Sequence, residues 1–220
     1  MATSKIEWTD LTWNPVRGCT RISPGCINCY AERMAARFSG PGAPFDGFAI
    51  MGQSGPRWTG RVKLDERKLL DPLYWRKPRR VFVNSMSDLF HESLSDEAIW
   101  RVFAVMAATP HITYQILTKR AERMRYWLTN GCATSWSQGL ARSIEQFIGP
   151  GPPPRWPLPN VWLGVSCEDQ QRADERIPHL IQTPAAMRFV SLEPLIEAVD
   201  VRRYLTGAIH LDWVIVGGES

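Results

Sequence analysis

The stretch that decides the fold runs from Arg80 to Leu128. It opens with R-V-F-V-N (Arg80–Asn84), a short apolar run of strand composition, and passes through S-M-S-D (Ser85–Asp88). E-A-I-W-R-V-F-A-V-M-A-A (Glu97–Ala108) then reads as a helix, with Ser95 placed as its N-cap. I-T-Y-Q-I-L (Ile112–Leu117) is a second strand, T-K-R (Thr118–Arg120) a second polar cluster, and Ala121–Leu128 the start of a second helix. Strand, polar cluster and helix in that order predict parallel strands joined by crossover helices.

Working outward toward the C-terminus, the unit recurs. Val161–Val165 is a strand, followed by S-C-E-D (Ser166–Asp169) and a helix over Gln170–Ile181. Met187–Val190 is the next, followed by S-L-E-P (Ser191–Pro194) and a short helix near Val199–Tyr204. Trp213–Val216 is the last, ending at G-G-E-S (Gly217–Ser220). The expected fold is α/β: a partial (β/α) TIM-like barrel of about six parallel strands with outer helices, forming a single domain over residues 1–220. In such a fold the polar clusters after the strands line one mouth, where active sites sit. Ser39–Gly60 and Gly149–Pro159, both rich in Gly and Pro, read as loop insertions. A chain ending at a Gly-Gly turn directly after a strand is expected to be truncated at its C-terminus.

Composition narrows the function classes. The 220 residues are 44% hydrophobic and 22% charged, which excludes disordered and fibrous chains. No apolar run reaches the ~20 residues of a membrane span, and the N-terminus lacks a signal-peptide core. The expectation is a cytoplasmic protein without a membrane partner. Net charge is +4, but Arg57–Arg80 alone carries nine basic residues against three acids. Arg57, Arg61, Lys63, Arg79 and Arg80, with Trp58, Tyr74 and Trp75 interleaved, form a candidate nucleic-acid surface. A solvated helix face beside a loop is the equal alternative.

Of five cysteines, Cys19, Cys26 and Cys29 fall within eleven residues as C-x6-C-x2-C. Such a cluster in a chain with an odd number of cysteines points to metal or redox chemistry rather than a disulfide framework. Three thiolates on one loop suit three irons of a [4Fe–4S] cluster and leave the fourth open. Gly18 and Gly25 allow a tight loop, and Arg17 or Arg21 offsets the cluster's charge. A structural zinc site is the alternative, and needs a fourth ligand from His91, Cys132 or Cys167.

On these residues the chain resembles known families. W-T-D-L-T-W-N-P-V-R-G-C (Trp8–Cys19), V-F-V-N-S-M-S-D-L-F-H-E (Val81–Glu92), I-L-T-K-R (Ile116–Arg120), W-L-G-V-S-C-E (Trp162–Glu168) and R-F-V-S-L-E-P-L (Arg188–Leu195) resemble an uncharacterised three-cysteine-motif family of phages and bacteria, the phage "gp thirty-seven/gp sixty-eight" proteins. More distantly, the cysteine loop resembles that of radical S-adenosylmethionine (SAM) enzymes of the spore photoproduct lyase-like branch. The usual spacing there is C-x3-C-x2-C, three residues shorter between the first two cysteines.

The more distant resemblance implies a [4Fe–4S] cluster on Cys19, Cys26 and Cys29 and SAM as cofactor. An external electron donor would reduce the cluster, and the bound SAM would be cleaved to a 5′-deoxyadenosyl radical that acts on a nucleic acid or nucleotide. Ser85, Ser87 and Asp88 would meet the SAM amino group, and Lys119 and Arg120 its carboxylate. Ser166, Glu168 and Glu193 would face ribose or substrate. Glu193 is the candidate catalytic carboxylate, and Cys167 a candidate hydrogen donor or simply a packed core residue. The alternatives carried forward are a nucleic-acid-binding phage protein with a structural zinc or iron–sulfur site, and a metal-free hydrolase using Asp88, Glu168 and Glu193.

Overall fold

The structure, a computed structural model, describes residues 6–129, 145, 149 and 155–217. Among these residues there are ten strands: β1 (Leu11–Trp13), β2 (Val16–Arg17), β3 (Ala49–Gly52), β4 (Gly55–Trp58), β5 (Lys63–Leu64), β6 (Arg79–Val83), β7 (Ile112–Thr118), β8 (Val161–Ser166), β9 (Met187–Leu192) and β10 (Trp213–Val216). Helices among the described residues include α1 (Tyr30–Arg37), α2 (Glu66–Leu69), α3 (Asp96–Ala108), α4 (Ala121–Thr129) and α5 (Gln170–Ile181).

Six strands form one parallel sheet in the order β1-β6-β7-β8-β9-β10. Each strand lies beside the next one in the chain that joins the sheet, so the winding never reverses. With right-handed crossovers, that order puts the connecting helices on one face. The core agrees: Val81, Val83, Tyr114, Ile116, Leu163 and Val165 pack with Val102 and Met106 of α3, Met124 of α4, and Ile177 of α5.

The opposite face is lined by rings. Trp8 lies 4.7 Å from Phe82 on β6 and 6.3 Å from both Phe189 on β9 and Trp213 on β10. A flat sheet would hold β6 and β10 about 19 Å apart, at ~4.8 Å per strand. One indole reaching both means the sheet curls toward this face. Gly164 allows the curl, since a Cβ there would stand 2.5 Å from the Phe189 ring. The sheet is nevertheless open among the described residues, with β1 and β10 as its edges. The six parallel strands and flanking helices expected from the sequence are present, while barrel closure is not shown.

Three sequence expectations need correction. Ser39–Gly60 is not loop throughout, because β3 and β4 pair as an antiparallel hairpin within it. The first strand of the sheet, β1, was not anticipated. At three residues it carries too little periodicity to read, and it is fixed by its parallel register Leu11↔Val81 to Trp13↔Val83. The short helix expected near Val199–Tyr204 is a 3₁₀ turn over Arg202–Tyr204.

Candidate functional site

The cysteine loop leaves the sheet at the C-terminal end of β1. Gly18 makes the turn: its φ is +87°, it bridges to Ser87, and a Cβ there would lie 1.9 Å from the Arg61 carbonyl oxygen. The loop then runs through Cys19 and a 3₁₀ turn, Pro24–Cys26, to Cys29, the N-cap of α1. All three thiols are free and partly exposed.

Three ion pairs anchor this loop. The first is Arg120, which is 6% exposed. Its Nε donates to both Glu92 oxygens at 2.9 Å, one terminal nitrogen donates to Asp88 at 3.1 Å and reaches the Cys19 sulfur at 3.9 Å, and the other donates to the Thr20 hydroxyl at 2.8 Å and carbonyl at 3.4 Å. Asp88 is equally engaged. It accepts from the Thr118 hydroxyl, the Lys119 and Phe90 amides and Arg120. That fills about the four lone-pair sites of a carboxylate.

The second anchor is Glu168, fully buried at the end of β8. It accepts from Lys119 and Arg176, each at 2.9 Å, and from the Gly25 amide at 3.2 Å. Burial alone would raise its pKa. Lys119, the Ser23 hydroxyl and Arg176 outweigh burial and hold it at about 2. Gly25 is glycine because a Cβ would stand 2.9 Å from the Glu168 carboxyl carbon. The third anchor is Glu32 of α1, buried at 1% exposure, which accepts from Arg21 and from the Trp58 amide.

Thiol electrostatics follow from this frame. Burial and the Asp88 charge push Cys19 up to about 12, opposed by Arg120. Burial also raises Cys29, against the Glu32 and Ala31 amides at the start of α1. A bound cation would reverse this balance, since a coordinated thiol ionises. Thiols are the donor type that a thiophilic metal or iron–sulfur group takes. Among the described residues, however, no three His, Cys, Asp or Glu side chains stand together in a metal-holding group.

Other expected site residues are placed as follows. Ser85 donates to Asn14 and Ser87 to the Val16 carbonyl, so both hold the β1–β2 connection. Ser166 donates to the Glu193 carbonyl. The Glu193 carboxylate stands half-buried beside Gly217, with no hydrogen-bond partner among the described residues, and burial raises its pKa. Cys167 does not join this group. Its side chain is in the apolar core, with burial raising its pKa to about 12. His91 bonds Thr20 through Nε2 and accepts the Ser93 amide at Nδ1, which commits both nitrogens that a zinc would need. Cys132 and Gly218–Ser220 lie outside the described residues.

Arg17 pairs with Asp65 and Arg21 with Glu32; Arg120 reaches the Cys19 sulfur, and Arg21 lies near enough to Cys26 and Cys29 for them to raise its pKa. The basic segment divides. Arg57, Arg61 and Lys63 sit on elements packed against the cysteine loop, through the Arg21–Pro56 bond, the Arg61–Gly18 approach and the β2–β5 pair. Arg79 and Arg80 open β6, at the other end of the sheet.

Sequence reasoning missed Glu32, Glu92, Thr20 and Arg176. Arg176 had a signal: with Ala173, Ile177 and Leu180 it shares the buried stripe of α5, and an arginine there demands a buried partner.

A family model described as "Protein of unknown function (DUF5131)" matches residues 3–220. Comparisons with curated proteins and with solved structures gave no match.

Proposed function

The chain belongs to the DUF5131 family, and for its cysteine loop we propose a radical SAM-type enzyme that acts on a nucleic acid or nucleotide. The observation that carries this reading is the position of the loop. Three free thiols are held at the C-terminal end of a curled parallel sheet by three separate ion-pair anchors. A structural zinc site would use four protein ligands. Of the candidate fourth ligands, His91 is committed elsewhere and Cys167 is in the core, while Cys132 lies outside the described residues.

Cys19, Cys26 and Cys29 would hold a [4Fe–4S] group, whose chemistry when bound is one-electron cleavage of SAM, with the electron supplied by an external donor. The chain's residues do the positioning. Arg120 and Glu168 fix the two halves of the loop from opposite sides. Lys119 is committed to Glu168 and Arg120 to Asp88, Glu92 and Thr20, so neither is free for the SAM carboxylate. Glu193 is the mouth carboxylate with capacity left, and takes an ammonium or hydroxyl of SAM or substrate. Arg57, Arg61 and Lys63 supply positive charge on the side of the loop, where a phosphate-bearing substrate would approach.

The test is anaerobic incubation of reconstituted protein with SAM and a strong reductant. Formation of 5′-deoxyadenosine, lost in Cys26→Ala, supports the reading. A protein that carries its cluster but never cleaves SAM refutes it in favour of a structural cluster.

A further inference from the structure

The segment Arg57–Arg80 holds nine basic residues and three acids, and all three acids are spent. Asp65 pairs with Arg17 and Glu66 with Arg101, both outside the segment, and Asp71 pairs with Lys68. The other eight cations make no ion pair among the described residues. At the mouth the opposite holds, since Lys119, Arg120 and Arg176 are all paired with buried carboxylates.

The segment follows the β1 edge of the sheet from end to end. It is tied near the mouth by the β2–β5 pair and by the Asp65 amide, which donates to the Pro15 carbonyl at 2.7 Å. Farther along, the Trp13 indole donates to the Lys68 carbonyl at 2.7 Å. At the foot of the sheet the Arg80 amide donates to Asp10 at 2.7 Å, and Asp10 makes no ion pair among the described residues. Between these ties Arg67, Arg76 and Lys77 are exposed, as is Arg80 itself, and the Tyr74 ring is 75% exposed. Uncompensated cations in a row repel one another and attract a polyanion. An exposed ring among them offers a face to an unpaired base.

We propose that this stripe, from Lys63 near the mouth to Arg80 at the foot, binds the backbone of a single-stranded nucleic acid, with Tyr74 stacked on a base. The inference deepens the substrate class of the reading above, a polynucleotide rather than a nucleotide, and rests on that reading for the strand's role as substrate. Six of the eight unpaired cations are arginines, whose guanidinium takes a phosphate through two parallel hydrogen bonds. A membrane surface would need apolar side chains beside the cations, and Leu64, Leu69 and Trp75 are turned into the core instead.

The probe is fluorescein-labelled oligothymidylate, read by anisotropy against the metal-free full chain across a salt series. Wild type should prefer the single strand to a duplex of equal length. Its log K should fall against log salt with a slope of about −3 or steeper, at ~0.7 per phosphate neutralised. Arg76→Gln/Lys77→Gln/Arg80→Gln should flatten the slope by about 2. Tyr74→Ala should weaken binding about five- to a hundredfold and leave the slope unchanged. Arg202→Gln/Arg203→Gln removes two cations already paired with Asp200 and Asp174, and should bind like wild type. A triple variant with the wild-type slope overturns the proposal, as does a duplex bound as tightly as the strand. A wild-type slope shallower than about −2, or no binding, overturns it without any variant. Phosphatidylglycerol vesicles bound as tightly as the strand overturn it in favour of a membrane surface. SAM cleavage by a chain that binds no strand sinks this inference alone. Strand binding by a chain that never cleaves SAM leaves the binding site standing and sinks the reading above.

Discussion

Cys19, Asp88, Arg120 and Glu168 show how residue chemistry is set by neighbours. Asp88 was expected to receive a cofactor's ammonium, yet its carboxylate is filled by four donors of the chain. Asp88→Asn should therefore cost about 3–5 kcal/mol, the penalty for stranding the buried Arg120 charge, and should weaken metal binding together with stability. Denaturant unfolding beside a metal titration checks this. A variant as stable as wild type would show that Asp88 is not a structural partner.

Glu168 makes a prediction in pH. Its pKa is held at about 2, below the ordinary 4.5. Its stabilising contribution is thus complete above pH ~4.5 and is lost as pH falls toward 2. The shift is worth on the order of 3 kcal/mol. Glu168→Gln should be less stable than wild type at pH 7, and the gap should narrow steadily below pH 4. A gap that does not change with pH would mean Glu168 contributes by packing alone.

Elements were legible where they are long and periodic. The strands β6 to β10 and helices α3, α4 and α5 fall within two residues of the spans their apolar patterns predict, and Ser95 caps α3 by accepting the Ala98 amide. The β3–β4 hairpin was hidden because Gly and Pro dominate its composition, and Pro56 sits within a strand that pairs on one side only. The cysteine motif was readable from spacing. Its anchors were not, because Glu32, Glu168 and Arg120 meet the loop across 11, 143 and 101 residues of chain. Gly18 tests the element directly. With φ at +87° and the Arg61 oxygen 1.9 Å from any Cβ, Gly18→Ala should destabilise by more than about 2 kcal/mol and displace Cys19. Thermal unfolding read by circular dichroism measures it, and an unchanged midpoint would mean the loop is not built on this turn.

At the scale of the molecule, sequential parallel winding puts the strand-end clusters on one side, and the ring cluster around Trp8 governs how far the sheet curls. No helix among the described residues is long and apolar enough to cross a membrane. Trp8 touches rings from β6, β9 and β10, so Trp8→Ala should lose about 3 kcal/mol and flatten the near-ultraviolet dichroism of the remaining tryptophans, while leaving the cysteine loop, at the other end of β1, able to bind metal. The central claim is that three thiols of one loop, and no others, hold the metal group. It is tested most directly by iron and sulfide analysis after anaerobic reconstitution of wild type, Cys19→Ala and Cys167→Ala. The account predicts about four irons and four sulfides per chain in wild type and Cys167→Ala, with most of both lost in Cys19→Ala. Iron retained in Cys19→Ala, or lost in Cys167→Ala, would contradict it.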